Sequence, residues 1–182
     1  RSLIVDNTIV AYASASGITY TIPDTVTDIE DWTFGYCSEL VSITIPNSVT
    51  RIGSCAFYYC GRLLNLNIPD SVKIIGESAF FDCGLLKSVT LGSGVETIEE
   101  FAFSDCTRLE SVTIQEGVKT IDNHCFSRCS TLKSIDIPDS VVSIGNYTFR
   151  DCSSLTSVTI PDGVTSIGYE AFYNCRSLTN VT

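Results

Sequence analysis

The chain has 182 residues, with 21 acidic side chains against 11 basic ones and a net charge of −10 at pH 7. That excess argues against nucleic acid or an anionic membrane as partner, since both reward Lys and Arg, and no run approaches the roughly 18 apolar residues of a membrane span. The N-terminus lacks the basic stretch and apolar core of a signal peptide, and there is no Met at all, so the chain reads as a processed or excised fragment.

Residues 1–21 contain "LIVDNTIVAY", two apolar runs flanking Asp6-Asn7, which predicts a hairpin serving as an N-terminal cap or a diverged repeat. From residue 22 onward the chain repeats every 23 residues. Cysteines stand at 37, 60, 83, 106, 129, 152 and 175, each preceded three residues earlier by a Phe and followed three residues later by a Leu. An Ile eight residues before each Cys and a Val eleven before complete the pattern without exception. Such periodicity is the mark of a stacked array.

Within each unit, the alternation in "LVSITIP" marks a short strand whose Leu40, Ile43 and Ile45 face one way. Pro46 then opens a turn, with Asp, Asn, Ser or Gly commonly following. "SVTRI" is a second short extended segment, and "CAFYYC" suits a single helical or 3-10 turn. One unit cannot bury enough apolar surface to offset the entropy of ordering itself, so the units must stack and share their cores.

The unit "IPxxVxxIGxxAFxxCxxLxxVT" resembles the BspA-like, or Treponema-type, leucine-rich repeat over residues 22–182, in seven consecutive copies. The resemblance implies a repeat solenoid: a right-handed superhelix with a parallel β-sheet on its concave face and short turns and strands elsewhere. It also implies a cell-surface or secreted protein of a host-associated bacterium or protozoan, in a family where several members are adhesins. Two units depart from the pattern, "LGSGV" and "IQEGV", which lack the Pro and put turn rigidity in question there. The array stops mid-strand at Thr182 without a capping unit, and the natural protein is expected to continue.

Three explanations compete for the cysteines. Disulfides fit poorly: nine is odd, and a column in a stack holds its side chains parallel at about 4.7–4.9 Å, whereas a disulfide wants Cβ atoms facing each other at about 3.8 Å. Metal ligation by Cys55 and Cys60, or by His124, Cys125 and Cys129, has loosely suggestive spacing. Cys125, however, occupies the slot held elsewhere by Ala56, Ala79, Ala102 and Ala171. Small buried apolar residues explain the column best, and no metal or cofactor is assigned.

The single histidine, His124, would have to serve any nucleophilic mechanism, and its place before the core pair "CF" fits a structural role better. No phosphate-binding glycine motif is present, so no catalytic residue is assigned and the chain is read as a non-enzyme. Asp24, Asp70, Glu116, Asp139 and Asp162 form an acidic column; it suits either a divalent cation or ordinary turn chemistry after Pro, and the turn is preferred. "NYT" and "NVT", at 146–148 and 180–182, are glycosylation acceptors only in an exported eukaryotic protein.

Two surfaces are candidate binding sites. Asn65, Asn67, Thr90, Thr113, Asp136 and Thr159 lie on the outward strand face, which the resemblance makes the concave one; it is small and polar and lacks hot-spot aromatics, as a plain solvated sheet would. Trp32, Tyr36, Tyr58, Tyr59 and Phe81 occupy slots off the core columns in three consecutive units, and stacking would gather them on the convex side or its edge, either as a partner's contact patch or as packing over the cap and between loops. The expected function is a non-catalytic module binding an extracellular protein or glycan, with no nucleic-acid partner and no membrane insertion. The alternative is a structural spacer displaying another domain of a longer surface protein.

Overall fold

A computed structural model describes residues 2–12 and 19–182. Arg1 and residues 13–18, part of the segment expected to form a hairpin cap or diverged repeat, lie outside the described residues.

Strands Ser2–Val5 and Thr8–Tyr12 pair antiparallel. Asp6 and Asn7 turn between them at φ 47° and 63°, the two positive angles that a type I′ hairpin turn needs and that Asn and Asp tolerate. Thr8–Tyr12 then pairs in parallel with Asp28–Ile29, setting Ile9 opposite Ile29, where a 23-residue step would have put Asp6. From there two-residue strands, from Arg51–Ile52 through Ser166–Ile167, extend a nine-stranded sheet by one strand per repeat.

The second strand set begins with Thr19–Thr21, in register with Ser42–Thr44. It recurs as Asn65–Asn67, Ser88–Thr90, Ser111–Thr113, Ser134–Asp136 and Ser157–Thr159. All its pairings are parallel and 23 residues apart. The repeat register therefore starts at Thr19, three residues earlier than the sequence columns indicated.

The expected helical or 3-10 turn at "CAFYYC" does not form; no helix occurs among the described residues. Ala56, Tyr58 and Cys60 do accept the expected local geometry, their amides donating to Gly53, Cys55 and Phe57 carbonyls. Cys55 and Tyr59, however, sit at φ 55° and 58°, and a left-handed residue ends a right-handed helical run at once. The amides of Cys55, Phe57 and Tyr59 are thereby freed to donate to Glu77, Ala79 and Phe81 in the next repeat. Successive turns joined by an inter-repeat ladder take the place of the helix.

The invariant columns fill the interior. Phe34, Phe57, Phe80, Phe103, Phe126 and Phe149 are fully buried, and neighbouring rings stack nearly parallel, from 4.8 Å for Phe34–Phe57 to 5.7 Å for Phe126–Phe149. All nine cysteines are free thiols, seven of them buried. Each thiol in the column from Cys60 onward donates to the carbonyl of the Phe one repeat back, as Cys60 Sγ does to Phe34 O at 3.1 Å and Cys129 Sγ to Phe103 O at 3.3 Å. Burial pushes their pKa values up, which keeps the S–H donor in place. In native buffer a maleimide is expected to modify only Cys55 and Cys175, the two half-buried thiols, and to modify nine in denaturant; rapid native labelling beyond those two contradicts this packing.

The acidic column serves the turns. Asp70 Oδ1 accepts from the Ser93 amide at 2.7 Å, and Glu116 accepts from Asp139 and Ser140 amides at 3.3 and 3.1 Å. Asp70 and Glu116 thus cap the turn of the following repeat, and no group of three or more His, Cys, Asp or Glu suited to a metal occurs among the described residues. Where the Pro is missing in "IQEGV", Gly117 takes over at φ 126°; a Cβ there would meet Ser93 O at 2.7 Å, so glycine is required by both conformation and space.

Candidate binding surface

The turn edge carries two left-handed positions per repeat, five residues and one residue before each column cysteine. A left-handed residue with a Cβ costs on the order of 1–2 kcal/mol, and Asn, Asp or Gly carries that cost best. Here Trp32, Tyr36, Tyr59, Phe101, His124 and Tyr147 all hold such angles. The backbone thereby turns large rings outward at a place where small polar residues would be cheaper.

The five aromatics picked out from the sequence come together. Trp32 stacks on Tyr36 at 6.2 Å and packs against Tyr58 at 5.2 Å. Tyr58 stacks on Phe81 at 5.1 Å and touches Tyr59 at 4.7 Å. Trp32, Tyr36 and Tyr59 remain exposed by 52%, 63% and 42%, while Tyr58 and Phe81 are half-buried beneath them. Burial, with the neighbouring Tyr59 and Tyr36 phenols adding to it, raises the pKa of Tyr58, so it faces any partner as a neutral phenol.

The cluster does not stop there. Phe81 meets Phe101 edge-on at 6.5 Å, Phe101 stacks on His124 at 4.5 Å, His124 on Tyr147 at 4.8 Å, and Tyr147 meets Tyr169 at 5.5 Å. One band of rings therefore runs along the turn edge from Trp32 to Tyr169, with Tyr169 and Tyr173 exposed at its far end. The second half escaped the sequence reading, although Phe101, His124 and Tyr147 stand 23 apart in the same column as Trp32.

The polar candidates lie elsewhere. Asn65, Asn67, Thr90, Thr113, Asp136 and Thr159 are exposed on the three-residue strands, flanking buried Leu66, Val89, Val112, Ile135 and Val158. They form a polar face on the three-residue strands, in a different part of each repeat from the turn positions that carry the aromatic rings. Asn67 and Thr90 also border an open groove of about 790 Å³ that crosses several repeats between Asp24 and Gln115, floored in part by Pro46 and Pro69.

The repeat geometry fits one family. A model of the BspA-type leucine-rich repeat region matches residues 9–133 and 121–182, in six copies. The chain belongs to this family. Its fold is similar to that of a leucine-rich repeat protein from Eubacterium ventriosum, at 30% identity and a TM-score of 0.89 over 96% of this chain and 47% of that one. The Treponema pallidum leucine-rich repeat protein matches at 26% identity and a TM-score of 0.73, over all of this chain and 78% of its own. A Bacteroides ovatus leucine-rich repeat protein matches at 27% identity and a TM-score of 0.65, over 90% and 54%. The BspA-type chain thus spans about half the length of the Bacteroides and Eubacterium proteins. No curated protein sequence matches it.

Proposed function

We propose that this BspA-type repeat array is a non-catalytic, cell-surface or secreted module that binds an extracellular protein or glycan through its aromatic turn edge. The observation that carries this reading is the placement of exposed Trp32, Tyr36 and Tyr59 at left-handed backbone positions. The fold imposes these angles in every repeat, so what calls for a partner is the choice of large exposed rings at them, and exposed aromatic patches of this kind serve recognition. No helix among the described residues is long and apolar enough to cross a membrane. The net charge of −10 disfavours nucleic acid and anionic lipid.

The test is a surface-binding panel of fibronectin, fibrinogen, mucin and a glycan set at physiological salt. A saturable signal is expected, weakened roughly thirtyfold by Trp32→Ser or Tyr59→Ser if either ring is a hot spot worth about 2 kcal/mol. A flat response from folded protein favours the spacer instead, with recognition residing in another domain of a longer protein.

A further inference from the structure

Midway along the aromatic band, a cavity of about 200 Å³ opens across four consecutive repeats. Phe81 and Phe101 form apolar walls, His124 and two arginines, Arg128 and Arg150, complete the rim, and the hydroxyl-bearing Ser104 and Ser127 line it. Asp105 lines the same cavity and Asp151 stands beside Arg150, so the two guanidiniums are offset by carboxylates and a ligand acid has to compete with them.

Neither guanidinium is saturated. Arg150 lies over the rings of Tyr147 and Tyr173, its Cζ 5.4 Å from each centroid. Its Nε is closed off from water 3.4 Å from Asp151 Oδ2, so a ligand meets this side chain through the terminal Nη groups. Arg128 Nη1 reaches Asp105 Oδ1, also at 3.4 Å, and its side chain is 62% exposed. A tight charge-assisted pair closes to about 2.7–2.9 Å, so both arginines retain capacity for a better acceptor. His124 adds no third charge. Burial lowers its pKa and the fields of Arg150 and Arg128 lower it further, leaving a neutral imidazole stacked on Phe101.

We propose that this cavity is a subsite for a carboxylated monosaccharide, a uronic or sialic acid residue, whose ring lies against Phe81 and Phe101 while its carboxylate engages Arg128 and Arg150. The planar guanidinium fork matches a carboxylate, and the flat Phe81 and Phe101 rings suit the C–H face of one sugar. The cavity is smaller than the roughly 300–1,000 Å³ of drug-sized pockets, which fits a single ring and no more. Asp105 competes with the ligand for Arg128. The assignment rests on the reading of this edge as a binding surface and names one ligand class for it.

Ligand-observed NMR on the intact chain tests it, with glucuronate and N-acetylneuraminate as probes and glucose and acetate as controls. Millimolar affinity is the scale expected of a single ring. Arg150→Gln and Arg128→Gln are each expected to weaken glucuronate or N-acetylneuraminate binding about tenfold, and Asp105→Asn to strengthen it by removing the competitor. Asn is well tolerated at the left-handed angle of this position, φ 61°, so the gain is readable even if an arginine variant loses stability. Glucose binding as well as the acids reduces the cavity to an aromatic platform and overturns the assignment. Acetate competing equally makes it a plain anion site and overturns it too, as does silence from both acidic sugars. Panel binding that is lost with Trp32→Ser but survives a silent sugar titration overturns this subsite alone and leaves the broader function standing.

Discussion

Raising the pH to about 10 under reducing conditions is expected to unfold the protein, because its core is built on thiols that cannot ionise in place. Cys60, Cys83, Cys106, Cys125, Cys129 and Cys152 all have strongly raised pKa values, through burial first. In the unfolded chain each returns to about 8.5. A folded pKa above the unfolded one means a stabilising contribution fully present below pH 8.5 and lost as the pH climbs toward the folded value. At pH 10 that loss is about 2 kcal/mol per thiol, or about 12 kcal/mol over six, comparable to the whole stability of a typical domain at about 5–15 kcal/mol. Cys175, pushed up only to about 11, stops contributing to the loss beyond that pH.

Cys125→Ala isolates the cause. The slot holds Ala56, Ala79, Ala102 and Ala171 in other repeats, so at pH 7 the variant is expected to lose no more than about 1 kcal/mol. As the pH rises the deficit closes and then reverses, the variant gaining about 2 kcal/mol on its parent by pH 10. Tyr and Lys titrate alike in both proteins and cancel. Urea midpoints at stepped pH with a phosphine reductant read this directly; a gap that stays constant from pH 7 upward means the thiols are not what titrates.

The array was legible in the sequence because every interior slot recurs at one spacing. The Phe, Cys, Leu, Ile and Val columns map to buried stacks through the unit of Cys152, and the strand alternation in "LVSITIP" placed Ile43 inward and Ser42 and Thr44 outward as the structure has them. The turn edge was illegible for the opposite reason. Its conformation is held by amides of Cys55, Phe57 and Tyr59 reaching the next repeat, a partner that no local propensity records. Nor did Trp32, Tyr36 or Tyr59 carry the Gly or Asn that usually announces a left-handed residue. The same blind spot hid the candidate site's extent: His124 appeared as a lone structural histidine, yet it stacks between Phe101 and Tyr147 and joins two halves of one band. Residue identity varies along that column, so it offered no motif, only a spacing.

Removing one rung of the phenylalanine ladder is expected to weaken the array in proportion to the neighbours that rung touches. Phe103 is fully buried, 5.2 Å from Phe80 and 5.5 Å from Phe126 at interplanar angles of 3° and 4°. Phe103→Ala leaves a cavity on two repeat interfaces and should cost about 3–5 kcal/mol. Phe172 is half-buried and stacks on Phe149 at 5.3 Å, so Phe172→Ala in this 182-residue chain should cost about half as much. The shape of the transition carries the sharper distinction. Stability in a solenoid is a sum of repeat and nearest-neighbour terms, so a weakened central interface lets the two sides unfold separately, and the denaturant m-value should fall for Phe103→Ala. With Phe172→Ala the break lies at the margin, and the remaining repeats should keep the m-value of the parent. Equal losses at the two positions, or an unchanged m-value for Phe103→Ala, would mean that coupling extends past adjacent repeats and that the array unfolds as a single unit.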